Sequence, residues 1–163
     1  MKLTFAGVAV LCAICISAVC DNGVHAQVTP DGTLNTDVSS SYSITKGTRV
    51  GNNLFHSFSQ FSVPTGSSAS FENDIDIQNI FSRVTGGQVS NIDGQISAKG
   101  NANLFLLNPA GIIFGKNASL NIGGSFVATT ANSIKFADGS EFSAVQGADK
   151  PLLTMSVPVG LQM

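Results

Sequence analysis

The sequence predicts an all-β fold, a parallel β-helix wound as a single-stranded solenoid with an N-terminal β cap and preceded by a signal-peptide helix. Three observations carry that expectation. First, Asn91-Ile92-Asp93-Gly94-Gln95-Ile96 and Asn108-Pro109-Ala110-Gly111-Ile112-Ile113 share the pattern N-x-x-G-x-I at an offset of 17 residues, and Lys99-Gly100-Asn101-Ala102-Asn103-Leu104 is echoed by Lys116-Asn117-Ala118-Ser119-Leu120. Turn, strand, turn, strand written twice is the sequence form of stacked coils, and neither copy has enough apolar surface to fold alone. Second, no stretch after residue 26 keeps apolar residues at i, i+3, i+4 and i+7, the spacing that marks an amphipathic helix. Third, short runs rich in β-branched and aromatic residues alternate with turn residues.

The elements follow in chain order. Lys2, the apolar run Leu3 to Val19 and the small residues around Val24-His25-Ala26 have the layout of a signal peptide, with cleavage expected between Ala26 and Gln27. An apolar run of about 17 residues is at the short limit for a membrane span, and no basic stop-transfer cluster follows it. Gln27 to Val50, rich in Ser and Thr and outside the repeat, is the expected N-terminal cap, because the end of a solenoid is an exposed sheet edge. Strands are expected at Thr33 to Val38, Tyr42 to Thr45, Phe71 to Ile77, Gln95 to Ser97, Leu104 to Leu107, Ile112 to Phe114, Phe126 to Thr129 and Ile134 to Phe136.

Asn108-Pro109-Ala110-Gly111 has Asn, Pro and Gly where a type I turn prefers them, and Thr29-Pro30-Asp31-Gly32 has the same Pro and Gly placement. Leu104 to Leu107 and Ile112 to Phe114 are apolar on both parities, so cover on both sides or an interior corner is expected for them. Asn residues at the turns are suited to bond to the Asn or backbone of the next coil, as polar ladders do in stacked sheets. A coil of about 17 to 25 residues fits these spacings. The Asp-Gly pairs at Asp31, Asp93 and Asp138 are hairpin signals and keep a β-sandwich as the alternative. Pro151 to Val157 has the composition of a further strand close to the last residue, so the domain spanning 27–163 is expected to be C-terminally incomplete.

Composition narrows the function. Charged residues are 11% of the chain and the net charge is −2, so no basic stripe exists to neutralise phosphates and a nucleic-acid partner is not expected. All three cysteines, Cys12, Cys15 and Cys20, lie in the leader, which leaves burial and hydrogen bonding to hold the exported chain together. Without cross-links, that chain is free to cross a second membrane in extended form.

The chemistry-bearing residues are few. His56, flanked by Phe55 and Phe58, has the setting of a packed histidine rather than a base. Asp74 and Asp76 would share one side of a strand, where they grip calcium, form a carboxylate pair or, more simply, face water. Arg83 and Asp93 are the nearest approach to a carboxylate with a basic partner, as a carbohydrate-cleaving β-helix would need, although nothing in their spacing brings them together. A directly sugar-binding adhesin would be expected to use aromatic platforms, and the chain has no Trp and only Tyr42. No catalytic residue, metal or cofactor is called for.

Gly51-Asn52-Asn53-Leu54-Phe55-His56-Ser57-Phe58-Ser59-Gln60-Phe61, Ile80 with Arg83-Val84-Thr85-Gly86-Gly87, Leu104 to Gly115, and Gly123-Gly124-Ser125-Phe126 occur in an order that resembles the filamentous haemagglutinin N-terminal domain of two-partner secretion proteins, in the version of its cyanobacterial members. The resemblance implies a right-handed parallel β-helix that serves as an export address. It implies as partner an outer-membrane β-barrel transporter of the Omp85 superfamily with periplasmic recognition domains, and a route through the periplasm to the cell surface or medium. It also implies an adhesin or haemagglutinin role, with a host or surface glycan as target of the full-length protein. In that light Asn108, Pro109, Ala110, Gly111 and Ile112 are either a transporter contact or a turn joining two coils. Ala110 stands where the family's form of this motif has a second Asn, and a separate Asn-Pro-Asn-Leu element of the family has no clear match.

Overall fold

The structure, a computed structural model, describes residues 27–145, and among them there are strands and turns but no helix. The expected signal peptide, its cleavage point at Ala26 and the strand at Pro151 to Val157 lie outside the described residues. The chain winds as a parallel β-helix with three walls. The first wall is β5 (Asn53–Ser62), β7 (Asn79–Val84), β10 (Asn103–Leu107) and β13 (Phe126–Thr129). The second is β3 (Ser43–Lys46), β6 (Ser68–Phe71), β9 (Gln95–Ala98) and β12 (Ser119–Asn121). The third is β8 (Ser90–Ile92) and β11 (Ile112–Phe114), extended by a parallel bridge from Ile92 to Val63.

Register is held by side chains as well as by the ladders. Asn79 donates to Asn53 Oδ1 across 26 residues at 2.9 Å, Asn103 donates to Asn79 Oδ1 across 24 at 3.0 Å, and Asn103 Oδ1 accepts from the Ser125 amide across 22 at 2.8 Å. This is the polar ladder expected from the Asn-rich turns, and it measures the coil directly. The 17-residue echo is therefore not the stacking vector, since Asn91 pairs with Ile113 and not with Asn108. The two copies share turn chemistry at different corners: Asp93-Gly94 turns the chain from the third wall to the second, Asn108 to Gly111 from the first to the third.

Inward-facing residues stack into one core: Leu54, Phe58, Phe61, Phe71, Ile80, Val84, Ile92, Ile96, Leu104 and Leu106 are each at most 6% exposed. The first wall is buried on its outer side too. Phe55, Phe81, Phe105 and Leu107 point outward and are covered by the hairpin β14 (Ser133–Lys135) and β15 (Glu141–Ser143), whose Ile134, Phe136, Phe142 and Ala144 pack on them. Leu104 to Leu107 thus has the two-sided cover expected of it. Ile112 to Phe114 does not: Ile113 is 58% and Phe114 46% exposed, because no described strand lies beyond β11.

The cap is as expected in place and in kind. β1 (Gln27–Pro30) and β4 (Thr48–Val50) pair antiparallel with β5, and β2 (Thr36–Val38) pairs antiparallel with β3, so the first coil offers no free parallel edge. Two strand expectations and one turn expectation need correction. Only Phe71 of Phe71 to Ile77 is in a strand; residues 72–78 cross from the second wall to the first, held by Asn73, which exchanges hydrogen bonds with the Lys99 backbone. Thr33 to Leu34 belongs to a turn in which Leu34 and Asn35 take positive φ, so that β2 starts only at Thr36. At Thr29 to Gly32, strand β1 runs through Pro30 and the turn is made by Asp31, whose side chain accepts from the Thr33 amide.

Coils approach closely enough to demand glycine at a few corners. A Cβ on Gly94 would lie against the carbonyl oxygens of Pro64 and Ser67 in the preceding coil, at 2.5 Å from the former. Its φ is not in the left-handed region, so the demand is purely steric. Gly94→Ala is expected to cost about 1–3 kcal/mol, the usual cost of overpacking, read as a lowered urea midpoint. An unchanged midpoint would mean that the corner yields.

Candidate functional site

The turn at Asn108 is built inward. The Asn108 side chain is fully buried; its Nδ2 donates to Gln88 O at 2.9 Å and Ser90 Oγ at 2.8 Å, and its Oδ1 accepts from the Ala110 amide at 3.0 Å. Gly111 N donates to Asn108 O at 3.0 Å and closes the turn, while Gly111 O accepts from Ser90 N in the coil below. Gly111 takes φ +121°, and a Cβ there would meet Val89. The Asn108 side chain thus holds one coil on another through its Nδ2 and closes its own turn through its Oδ1. What the segment offers outward is Pro109, Ala110 and Gly111, each partly exposed, beside Val89 and Ile113, while Ile112 packs against the inner core. Ala110 contributes its amide to Asn108, so the turn closes without a second Asn.

His56 is 1% exposed and faces the inner core, against Phe58 and Phe71 at ring-centroid distances of 6.1 and 5.4 Å. Its Nδ1 lies 3.3 Å from Thr36 Oγ1; its Nε2 and Ser82 Oγ, on the rung paired with it, have no hydrogen-bond partner among the described residues. Burial pushes its pKa down to about 4. It is a packed histidine with no solvent access, as the flanking Phe residues imply.

Asp74 and Asp76 sit in the 72–78 crossing rather than on a strand. Arg49 lies between them, with Nη1 3.2 Å from a carboxylate oxygen of each and Nη2 2.5 Å from Asp76 Oδ2. The hydrogen bond from Arg49 holds the Asp76 carboxyl below its ordinary range. A guanidinium answers both charges, and both carboxylates face water, the simpler of the readings weighed for them, though from a crossing and not from a strand. All three groups are exposed, so the contact adds little stability.

Arg83 and Asp93 are on different sides of the solenoid. Arg83 lies on the outer side of the first wall, where Nε donates to Ser57 Oγ at 2.8 Å, Nη1 to Ser143 O at 2.6 Å, and the guanidinium stands 5.3 Å from the Phe142 ring centroid. Asp93 is at the corner between the third and second walls, where hydrogen bonds from Thr65 and Asn117 hold its pKa down at about 2. Its Oδ1 also accepts from the Asn117 amide at 2.9 Å, so it is a rung of a polar column rather than half of a catalytic pair.

Sequence reasoning missed the group around Asp31. Asp31 Oδ2 accepts from Ser57 Oγ at 2.5 Å and Thr85 Oγ1 at 2.8 Å, and Thr33 Oγ1 is 3.4 Å from Arg83 Nη2. Burial pushes the Asp31 carboxyl up, and the hydrogen bonds from Ser57, Thr33 and Thr85 outweigh that and hold it below its ordinary value. The group ties the cap, two coils and the hairpin together across separations of up to 60 residues, which no local sequence signal reveals.

The described residues thus present a stacked three-walled column in which polar side chains bind coil to coil. A family model described as TPS secretion domain matches residues 26–163. The chain belongs to this two-partner secretion domain family. No curated protein and no solved structure matches it. The TPS domain is a secretion-targeting domain rather than a catalytic one.

Proposed function

We propose that this TPS domain is the export address of a haemagglutinin-like adhesin, read in the periplasm by the recognition domains of an outer-membrane Omp85-type β-barrel that passes the exoprotein to the cell surface or medium. The observation that carries the reading is the family match over a column with registered coils. Low charge favours it, since a chain with 11% charged residues has little electrostatic cost in threading a pore. Stacking favours it as well, because each coil that folds outside on the one before opposes backward sliding. The third wall, with Val89, Ile113 and the outward atoms of Pro109 to Gly111, offers an apolar strip beside a free strand edge, which suits recognition by strand addition. A glycan target belongs to the exoprotein as a whole. Residues 1–163 fused to a reporter are expected to reach the medium only in a host that expresses the cognate barrel; equal release with and without it overturns the proposal.

A further inference from the structure

The hairpin β14–β15 is attached to the solenoid by side chains and not by sheet. Among the described residues its two strands pair only with each other, whereas every strand of the three walls is hydrogen-bonded to a strand of another coil or of the cap. Ring packing holds it down: Phe142 lies 5.3 Å from Phe55 and 6.4 Å from Phe81, and Phe136 lies 6.3 Å and 5.2 Å from the same two rings. Arg83 adds a hydrogen bond to Ser143 O at 2.6 Å and stands 5.3 Å from the Phe142 ring centroid. A two-stranded hairpin is marginal by itself, so its stability comes from these contacts.

The base of the hairpin is closed separately. Ala144 N donates to Asn132 O at 2.9 Å, which holds the two ends of the excursion together, and Thr130, Ala131 and Asn132 leading into it are exposed. Lifting the hairpin about that base breaks no ladder hydrogen bond of the walls. It also takes nothing from the inner core, because the residues of that core and those packed with the hairpin form two clusters with no member in common.

We propose that β14–β15 is a lid that opens and recloses as one unit while the inner core stays folded, baring Phe55, Phe81, Phe105 and Leu107 on the outer side of the first wall. The two strands move together because Phe136 of one end and Phe142 of the other share the same two rings beneath them. In a chain that folds from its N-terminus all four bared residues precede the lid, so its closure follows the stacking of the first wall. The proposal concerns a motion of the fold and does not rest on the export reading.

Thiol labelling tests it in the full chain with Cys12, Cys15 and Cys20 replaced by Ser. Leu106 and Leu107 are neighbours on β10, both buried, one in the inner core and the other in the cluster under the hairpin. With iodoacetamide as the probe and no denaturant, Leu107→Cys is expected to react at least about tenfold faster than Leu106→Cys, since the first needs only the lid to open and the second needs the core to unfold. Adding Phe142→Ala is expected to speed the Leu107→Cys reaction at least about tenfold further and to leave that of Leu106→Cys within about twofold. Equal rates for the two thiols, or a Phe142→Ala effect shared by both, would overturn the lid. Should the cysteine variants fail to fold, hydrogen exchange on the unsubstituted chain decides. Amides of β14 and β15 that exchange faster than those of β7 and β10, with a weaker dependence on urea, support the lid; a common rate and a common urea dependence overturn it.

Discussion

Replacing Phe81 by Ala is expected to cost about 3–5 kcal/mol, the largest effect of any single truncation in the domain. Phe81 is 0% exposed and stands in the middle of an outward-facing column, stacked between Phe55 and Phe105 at centroid distances of 5.1 and 4.7 Å with 17° between ring planes. The hairpin adds Phe136 edge-on at 5.2 Å and Phe142 at 6.4 Å. Removing the ring therefore takes away two stacked and two edge contacts and leaves a cavity that a β-ladder cannot collapse to fill, since Phe81 is hydrogen-bonded into strands on both sides. The change should be visible twice: as a lowered denaturation midpoint, and as faster exchange of amides in β14 and β15, which pack on this column. A loss below about 1 kcal/mol, well under the range for a buried Phe, would mean that the outer aromatic column lies outside the cooperative core.

That column shows where sequence reading loses its grip. Period-2 patterning finds a strand when one side is wet; runs of β-branched and aromatic residues between turn signals, not alternation, located Ile112 to Phe114 and Phe126 to Thr129 to the residue. The longest strand, β5, has Leu54, His56 and Phe58 facing the core and Phe55 and Ser57 facing the Arg83 and Phe81 side, so both parities are buried and no alternation is left to read. Its cover is a hairpin about 80 residues downstream, whose one clear local signal was Asp138-Gly139. That signal is genuine: Gly139 takes φ +83° and the Asp138 side chain caps the Ser140 amide. It marks a hairpin laid on a solenoid rather than a sandwich, a distinction that depends on what the hairpin packs against and not on the turn itself.

The candidate site was legible to a similar depth. Asn108, Pro109 and Gly111 announced a turn because each has a backbone preference of its own, and the inward commitment of the Asn108 amide follows from stacking, which the repeat implied. Reading the 17-residue echo as the coil failed because corners reuse one turn chemistry wherever the chain must bend, while coil length is set by the walls between them. Arg83 could not be interpreted alone. Its partners Ser57 and Ser143 are 26 and 60 residues away, and only the fold brings them to one guanidinium.

Acid is expected to loosen the domain through His56. In the unfolded chain this imidazole titrates near 6.5; in the column, burial pushes it down to about 4. Above pH 6.5 both states carry a neutral ring and stability is undiminished. As pH falls from 6.5 to 4 the unfolded chain binds a proton that the folded chain refuses, so stability declines by about 2 kcal/mol by pH 5 and about 3 kcal/mol once the folded ring also protonates. The carboxylates of Asp31, Asp76 and Asp93, all held below their ordinary values, act in the same direction but at lower pH, since their unfolded values are near 4. The interval from pH 7 to 5 therefore belongs to the histidine. His56→Leu keeps an apolar side chain among Phe58 and Phe71, and Thr36 Oγ1 retains the Ser57 amide as a partner at 3.1 Å. Urea midpoints of the unsubstituted protein should fall across that interval while those of the variant stay level. If both fall in parallel, the buried imidazole is not the group that senses the acid.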